Sequence, residues 1–201
     1  MNLVAEQSMK QELKAELVRK CLHMLIGFAP VLALWSYTGT LILIASGTLL
    51  YVCFETLRHN GINVPVVSFL TDFASRRRDK GRFVIGPVTL GAGALLSLLM
   101  FPPKTAAVAI YALAVGDSVS SLTGKFFGRF RPAFLCGKSV EGSLACFTAV
   151  FLFSWPVSGS LYTALISAAA ATAVEALPLR DWDNIFIPLA AGLAFWLNHG
   201  A

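Results

Sequence analysis

Two short runs gather most of the side chains able to do chemistry in this 201-residue chain. Gly116-Asp117-Ser118-Val119-Ser120-Ser121 leads to Gly124-Lys125, and Gly137-Lys138-Ser139-Val140-Glu141-Gly142-Ser143 follows. Both put acids, bases and glycines inside or beside apolar sequence. A charge held deep in a bilayer costs about 2.5–3.5 kcal/mol or more, so ionisable groups there usually hold an ion, a phosphate or a substrate. The plainer reading makes Asp117 a cap between two helices. Further carboxylates, Glu175, Asp181 and Asp183, stand near the C-terminal end, and no acid falls in the short loops of the opposite side. Together with Lys125, Arg129, Arg131 and Lys138, the acids form a candidate pocket for Mg²⁺ and a polyphosphate. Generic loop solubility would account for Asp181 and Arg129, but it does not account for Asp117 or Glu175, each embedded in apolar sequence.

Other chemistries find less support. Gly137-Lys138-Ser139 resembles the end of a P-loop, but Pro132 stands where that loop needs its first glycine, and no strand precedes it. Neither the GxGxxG loop nor the catalytic loop of protein kinases is present. Cys21, Cys53, Cys136 and Cys146 lack metal-type spacing and read as filler. His23, beside Arg19 and Lys20 at the entry to an apolar segment, is either an interfacial hydrogen-bonder or a base.

The elements that must position these residues are membrane helices. The chain is 56% hydrophobic and 13% charged, with a mean hydropathy of +0.70; soluble domains carry about 25% charged residues. Apolar blocks at 21–35, 40–54, 83–101, 105–124, 140–155, 159–177 and 185–197 predict an all-α, polytopic transmembrane bundle of about seven spans. The charged first 20 residues and the lack of a small-residue cleavage site argue against a cleaved signal peptide. Residues 1–18 read as an interfacial amphipathic helix with i,i+4 pairs Glu6–Lys10 and Glu16–Lys20, and 19–201 as one transmembrane catalytic domain.

With a cytoplasmic N-terminus, every Lys and Arg except Lys104 falls on the cytoplasmic side, fifteen of the 16. The opposite orientation would break the positive-inside rule almost completely. The net charge of +5 then reflects topology and anionic lipid headgroups, and gives no reason to invoke nucleic acid. A multi-pass protein of a bacterial inner membrane with its site facing the cytoplasm is expected. Gly116, Ser120, Gly124 and Gly128 recur every four residues as a small-residue ridge that admits another helix and permits a homodimer. Residues 62–74, interrupted by Pro65, read as an interfacial or re-entrant piece.

The ordered set Arg19-Lys20-Cys21-Leu22-His23, Glu55 with Arg58, Gly116-Asp117 with Gly124 and Gly128, Lys138-Ser139 with Glu141-Gly142-Ser143, Glu175, and Asp183-Asn184 with Pro188 resembles the polyprenol kinase family. That group contains dolichol kinase, phytol kinase and the CTP-dependent diacylglycerol kinase of yeast. The resemblance runs from about residue 19 to 198 and implies transfer of the γ-phosphoryl group of CTP to the hydroxyl of a membrane lipid, with Mg²⁺. It implies metal roles for Asp117, Glu175 and Asp183, and catalytic roles for Asp117, His23 and Lys138. Nucleotide or phosphate contacts would come from Arg19, Lys20, Gly116, Ser121, Gly124, Lys125, Ser139, Glu141, Gly142 and Asn184. Either Asp117 or His23 could be the base. Two alternatives stand beside it: a phosphatidate cytidylyltransferase, related to the family but with a C-terminal signature not visible here, and a small ion-coupled transporter, against which speak the missing internal repeat and the one-sided acids.

Overall fold

The computed structural model describes residues 2–62, 65 and 81–199. The chain is a polytopic helical bundle, and the helices follow the apolar blocks closely. Helix α1 (Asn2–Leu25) passes through a 3₁₀ turn (Ile26–Phe28) into α2 (Ala29–Trp35), where Pro30 occupies the first turn, the position at which a missing N–H costs least. Helix α3 (Tyr37–His59) returns, opened by Ser36, whose hydroxyl accepts from the Gly39 N–H. Helices α4 (Gly86–Met100) and α5 (Pro103–Tyr111) follow, and a π turn (Ala112–Gly116) joins α5 to α6 (Asp117–Phe126). Helices α7 (Val140–Ser158), α8 (Leu161–Glu175) and α9 (Asp183–His199) complete the bundle.

Four of these segments are long and apolar enough to cross a membrane: residues 13–35, 37–59, 103–126 and 140–158. Helices α4 and α8, 15 residues each, and α9, 17 residues, are shorter. At about 1.5 Å per residue they reach roughly 22–26 Å, somewhat less than a ~30 Å hydrocarbon core. The expected count of seven crossings therefore corresponds to four long segments and three short ones among the described residues. The side chains of the expected Glu6–Lys10 pair, and residues 63–64 and 66–74 of the expected re-entrant piece, lie outside the described residues.

Burial is inverted relative to a water-soluble domain. Large side chains such as Trp35, Leu34, Phe127 and Tyr162 face outward, while Ala94, Ala109, Ala112, Ala164, Ala168 and Ala191 are fully enclosed. With no hydrophobic drive between helices in lipid, close packing of small residues holds them together. The ridge Gly116–Ser120–Gly124–Gly128 is filled by α7 of the same chain. A Cβ at Gly116 would come within 2.7 Å of Val150, one at Gly124 within 3.1 Å of Ser139 Oγ, and one at Gly142 within 2.9 Å of the Ser120 carbonyl.

Polar contacts fix which ends of the helices lie together. Tyr37 donates to the Leu98 carbonyl (2.8 Å) and Thr163 to the Asn198 carbonyl (3.2 Å) at one end. At the other, Tyr51 donates to the Val84 carbonyl (3.0 Å). Buried Glu55 accepts from Arg58 Nε (2.7 Å), Arg58 Nη2 (2.6 Å) and the Val84 N–H (2.8 Å). These last contacts pin the chain just before α4 to the end of α3, and so set where α4 begins.

Candidate functional site

The motif residues gather at the end of the bundle where α3 finishes and α4 begins, in two adjoining groups. The first is buried. Helix α1 brings Lys20 and His23 against Asp117, the first residue of α6, with Lys20 and Asp117 each 3% exposed. Lys20 donates to an Asp117 carboxylate oxygen, and His23 Nε2 lies 3.7 Å from the same oxygen. Asp117 follows directly on the π turn, an irregularity often found at functional sites because it re-aims the residues beside it. It lies about 14 Å along the axis from the end of α6 at Phe126.

His23 Nε2 also meets Asn184 Oδ1 at 2.9 Å. The amide of Asn184 donates to Thr89 Oγ1 (2.9 Å) and to the Gly86 carbonyl (3.2 Å). Because a backbone carbonyl can only accept, the NH₂ of Asn184 must face Gly86 and its oxygen must face His23. His23 Nε2 therefore carries a proton and donates it. In the neutral ring Nδ1 is left as an acceptor, and among the described residues this buried atom has no hydrogen-bond partner. Helices α4 and α9 approach closely enough for the relay because Gly93 has no side chain; a Cβ there would fall 2.0 Å from the Asn184 carbonyl oxygen.

The second group lines an open polar cleft of about 230 Å³. Of the predicted residues, Ser121, Gly124, Lys125, Lys138, Ser139, Gly142, Glu175 and Asp183 line it. Glu175, at the last turn of α8, accepts from Ser120 Oγ (2.7 Å), Lys138 Nζ (2.9 Å) and Ser143 Oγ (3.1 Å). Lys138 donates as well to the Glu175 carbonyl. Glu16 binds Arg19 and Lys125. The expected i,i+4 pair Glu16–Lys20 is thus replaced: Glu16 meets Arg19 one turn along α1 and Lys125 across the bundle, and Lys20 turns to Asp117, because buried charges must be paired. Three elements contribute to both groups, with Glu16 and Lys20 on α1, Asp117 and Ser120–Ser121 on α6, and Asn184 and Asp183 on α9.

The other predicted residues have different surroundings. Ser139 caps α7, accepting from the Gly142 N–H (3.1 Å). Glu141 accepts at one oxygen from the N–H groups of Arg129 (2.9 Å) and Phe130 (3.1 Å), so that oxygen organises the loop between α6 and α7. Gly116 packs on Val150, and Asp183 accepts from the Asn184 N–H (2.9 Å). Asp117, Glu175 and Asp183 are not gathered into one shell: among the described residues no group of three His, Cys, Asp or Glu side chains is arranged to hold a metal. Lys20 engages Asp117, whereas Glu175 and Asp183 share the cleft.

Sequence reasoning passed over several lining or supporting residues. Arg131, assigned only to a general basic cluster, donates to the carbonyls of Gly124 and Gly137, both at 2.6 Å, and ties the loop over the cleft. Arg180 lines the cleft with φ of +57°, a left-handed conformation that non-glycine residues seldom adopt. Glu16 was read as part of a surface pair, and Thr89 carried no signal, since a threonine in an apolar helix is common. Only the pairing of α4 with α9 reveals Thr89's role.

No family model matches the chain. No solved structure matches it either. Among curated proteins it is 29% identical over 192 residues to an uncharacterized protein of Methanocaldococcus jannaschii, covering 92% of this chain and 93% of that one. It is 27% identical over 214 residues to phytol kinase 1, chloroplastic, of Arabidopsis thaliana, covering 94% of this chain and 68% of the plant protein. A probable phytol kinase, chloroplastic, of Triticum aestivum is 28% identical over 204 residues, covering 92% and 68%. The similarity to phytol kinases thus takes in both groups of the site.

Proposed function

We propose that the protein is a membrane-embedded, CTP-dependent kinase that transfers the γ-phosphoryl group to the hydroxyl of a lipid alcohol of the diacylglycerol, polyprenol or phytol type. The observation that carries the reading is one adjacency. A cleft lined by four basic side chains, Lys125, Arg131, Lys138 and Arg180, adjoins a buried Lys20–Asp117–His23 group, in a chain similar to phytol kinases over 94% of its length.

Phosphoryl transfer depends chiefly on positioning and on neutralising charge, and the cleft suits both needs. Its volume, about 230 Å³, is below the ~300–1,000 Å³ of a typical small-molecule pocket, so it fits the phosphate end of the nucleotide. Lys138 and Lys125, held by Glu175 and Glu16, would exchange carboxylate for phosphate oxygens when the nucleotide enters. Mg²⁺, when bound, would reduce the charge of the β- and γ-phosphates. Glu175 and Asp183 would hold it, since Mg²⁺ needs only one or two carboxylates beside phosphates and water. Asp117 stays outside this set as the counter-ion of Lys20.

In the transfer, the hydroxyl oxygen bonds to the γ-phosphorus while the bond to the β–γ bridging oxygen breaks, and CDP leaves with the electron pair. The hydroxyl proton needs an acceptor. His23 Nδ1 is the better candidate, because Asp117 is committed to Lys20. Clustering of the basic residues at the site's end of the bundle supports a cytoplasmic-facing site, and the resemblance to the polyprenol kinases supports CTP as donor. The test is purified protein with Mg²⁺, a panel of lipid alcohols, and CTP labelled separately at the α and γ positions. Only γ label should enter lipid, and CTP should outperform ATP. Label from the α position with release of pyrophosphate, dependent on phosphatidate, would instead assign a cytidylyltransferase.

A further inference from the structure

An apolar groove of about 600 Å³ opens at the end of the bundle opposite the polar cleft, between α2, α4 and α5. We propose that it binds one anionic glycerophospholipid, with the phosphate at Lys104 and an acyl chain laid between α2 and α4. The site is separate from the kinase chemistry and does not depend on it.

Charge identifies the headgroup. Among the described residues, Lys104 is the one Lys or Arg at that end of the bundle, and it lines the groove. It stands in the first turn of α5, where the helix dipole adds to its positive charge instead of offsetting it. No carboxylate side chain is at hand to neutralise it: the stretches 26–50, 93–111, 148–170 and 190–201, which build that end, contain no Asp or Glu. A second copy of the chain would bring none there either. The counter-charge therefore comes from outside the protein, and at the end of a membrane helix the anion at hand is a lipid phosphate.

Shape and hydrogen bonding identify the rest of the molecule. Val31 and Leu34 of α2 and Leu98 and Leu99 of α4 line the groove with hydrocarbon. Its walls are held in place, because Tyr37 donates to the Leu98 carbonyl (2.8 Å) and the ring of Phe101, also in the lining, packs on Gly192, where a Cβ would come within 2.5 Å. Lys104, Ala107 and Tyr111 fall on one stripe of α5, at i, i+3 and i+7, and all three line the groove. Tyr111 lies roughly 10 Å deeper than Lys104 at ~1.5 Å per residue. Helical side chains lean back toward the N-terminus, which brings its hydroxyl up toward the lysine. The Tyr111 ring rests on Phe153 (centroids 5.2 Å apart), and among the described residues its hydroxyl makes no hydrogen bond, unlike that of Tyr37. An O–H at that depth has no water to bond and needs an acceptor. A glycerophospholipid supplies a phosphate for Lys104 and, deeper along the same molecule, an ester carbonyl for Tyr111. A fatty acid would satisfy Lys104 alone, and the amine of a zwitterionic headgroup would be repelled from this positive end.

The basic residues around the polar cleft attract anionic lipid too, so the test must locate the lipid and not merely count it. The full-length protein in phosphatidylcholine nanodiscs would be irradiated with phosphatidylglycerol bearing a diazirine on an acyl chain, and the modified peptides mapped. Labelling is expected on residues 30–37 and 98–111, displaced by excess unlabelled phosphatidylglycerol and not by the same excess of phosphatidylcholine or oleate. Lys104→Gln should lower it about fivefold, the share one lysine contributes to binding an anionic lipid surface, and Lys104→Arg should retain it. Tyr111→Phe should also lower it, and Ala107→Trp, which fills the stripe between Lys104 and Tyr111, should abolish it. Thermal midpoint and oligomeric mass would be measured for every variant. Equal displacement by phosphatidylcholine, full labelling of a folded Lys104→Gln protein, or equal labelling of the other lipid-facing helices would each overturn the assignment. A wild-type dimer that Ala107→Trp splits would give the groove to a second copy and overturn it as well. Cross-linking needs no turnover, so the outcome is independent of whether γ label enters a lipid alcohol.

Discussion

Lys20 and Asp117, 97 positions apart in the chain, form an ion pair buried at the junction of α1 and α6. Neither charge could be held there alone. Removing one partner of a buried pair leaves an uncompensated charge and costs about 3–5 kcal/mol, whereas removing both is often close to neutral. Asp117→Asn keeps the shape and removes the charge, so the pairing with Lys20 predicts that it destabilises as well as inactivates. Lys20→Met and Asp117→Asn should each lower the thermal midpoint in detergent and abolish transfer. The double variant should recover most of the midpoint but no activity. Additive losses in stability would show that the two residues are not coupled.

Lys138 links the cleft to Glu175. A charge-assisted hydrogen bond contributes about 1.5–3 kcal/mol, equivalent to roughly 10–100-fold in binding. Lys138→Met should therefore raise KM for the nucleotide by at least about tenfold, with Lys138→Arg intermediate. An unchanged KM with reduced stability would make Lys138 a brace for Glu175 and nothing more.

Glu141 should separate from the nucleotide-contacting residues. One of its oxygens accepts from two loop N–H groups, and an amide oxygen can do the same. Glu141→Gln should retain most activity, while Glu141→Ala should speed proteolytic nicking between residues 127 and 139. Equal loss of activity in both, without increased nicking, would return Glu141 to direct phosphate or metal contact.

Gly93 tests the relay through the backbone. A methyl group there would lie 2.0 Å from the Asn184 carbonyl, so Gly93→Ala must push α4 from α9. Overpacking of this kind costs about 1–3 kcal/mol. Stability and transfer should both fall in Gly93→Ala; unchanged values for both would show that α4 and α9 absorb the methyl group without disturbing the relay.

Orientation can be read by labelling. Arg129 and Lys104 are exposed at opposite ends of the bundle. In a cysteine-free background, Lys104→Cys should react with an impermeant thiol reagent added outside intact cells, and Arg129→Cys only after lysis. The reverse pattern would turn the site outward.

The all-helical class and the positions of most helices were legible because hydropathy is a local property. Each apolar block forms its own backbone hydrogen bonds whatever its neighbours do. Blocks predicted at 140–155 and 159–177 appear as Val140–Ser158 and Leu161–Glu175. Asp117, Glu175 and Lys138 stood out as candidates for a related reason: charges in or beside apolar sequence are rare. Their partners did not. Which cation meets Asp117 depends on α1 crossing α6, and the local i,i+4 rule that paired Glu16 with Lys20 fails once both are buried and nearer charges lie across the bundle. The same holds for the π turn before Asp117, the role of Thr89 and the open nitrogen of His23. These depend on the approach of helices far apart in sequence, which the steric fit of Gly93 and Gly116 to their neighbours settles, and only the tertiary structure decides it.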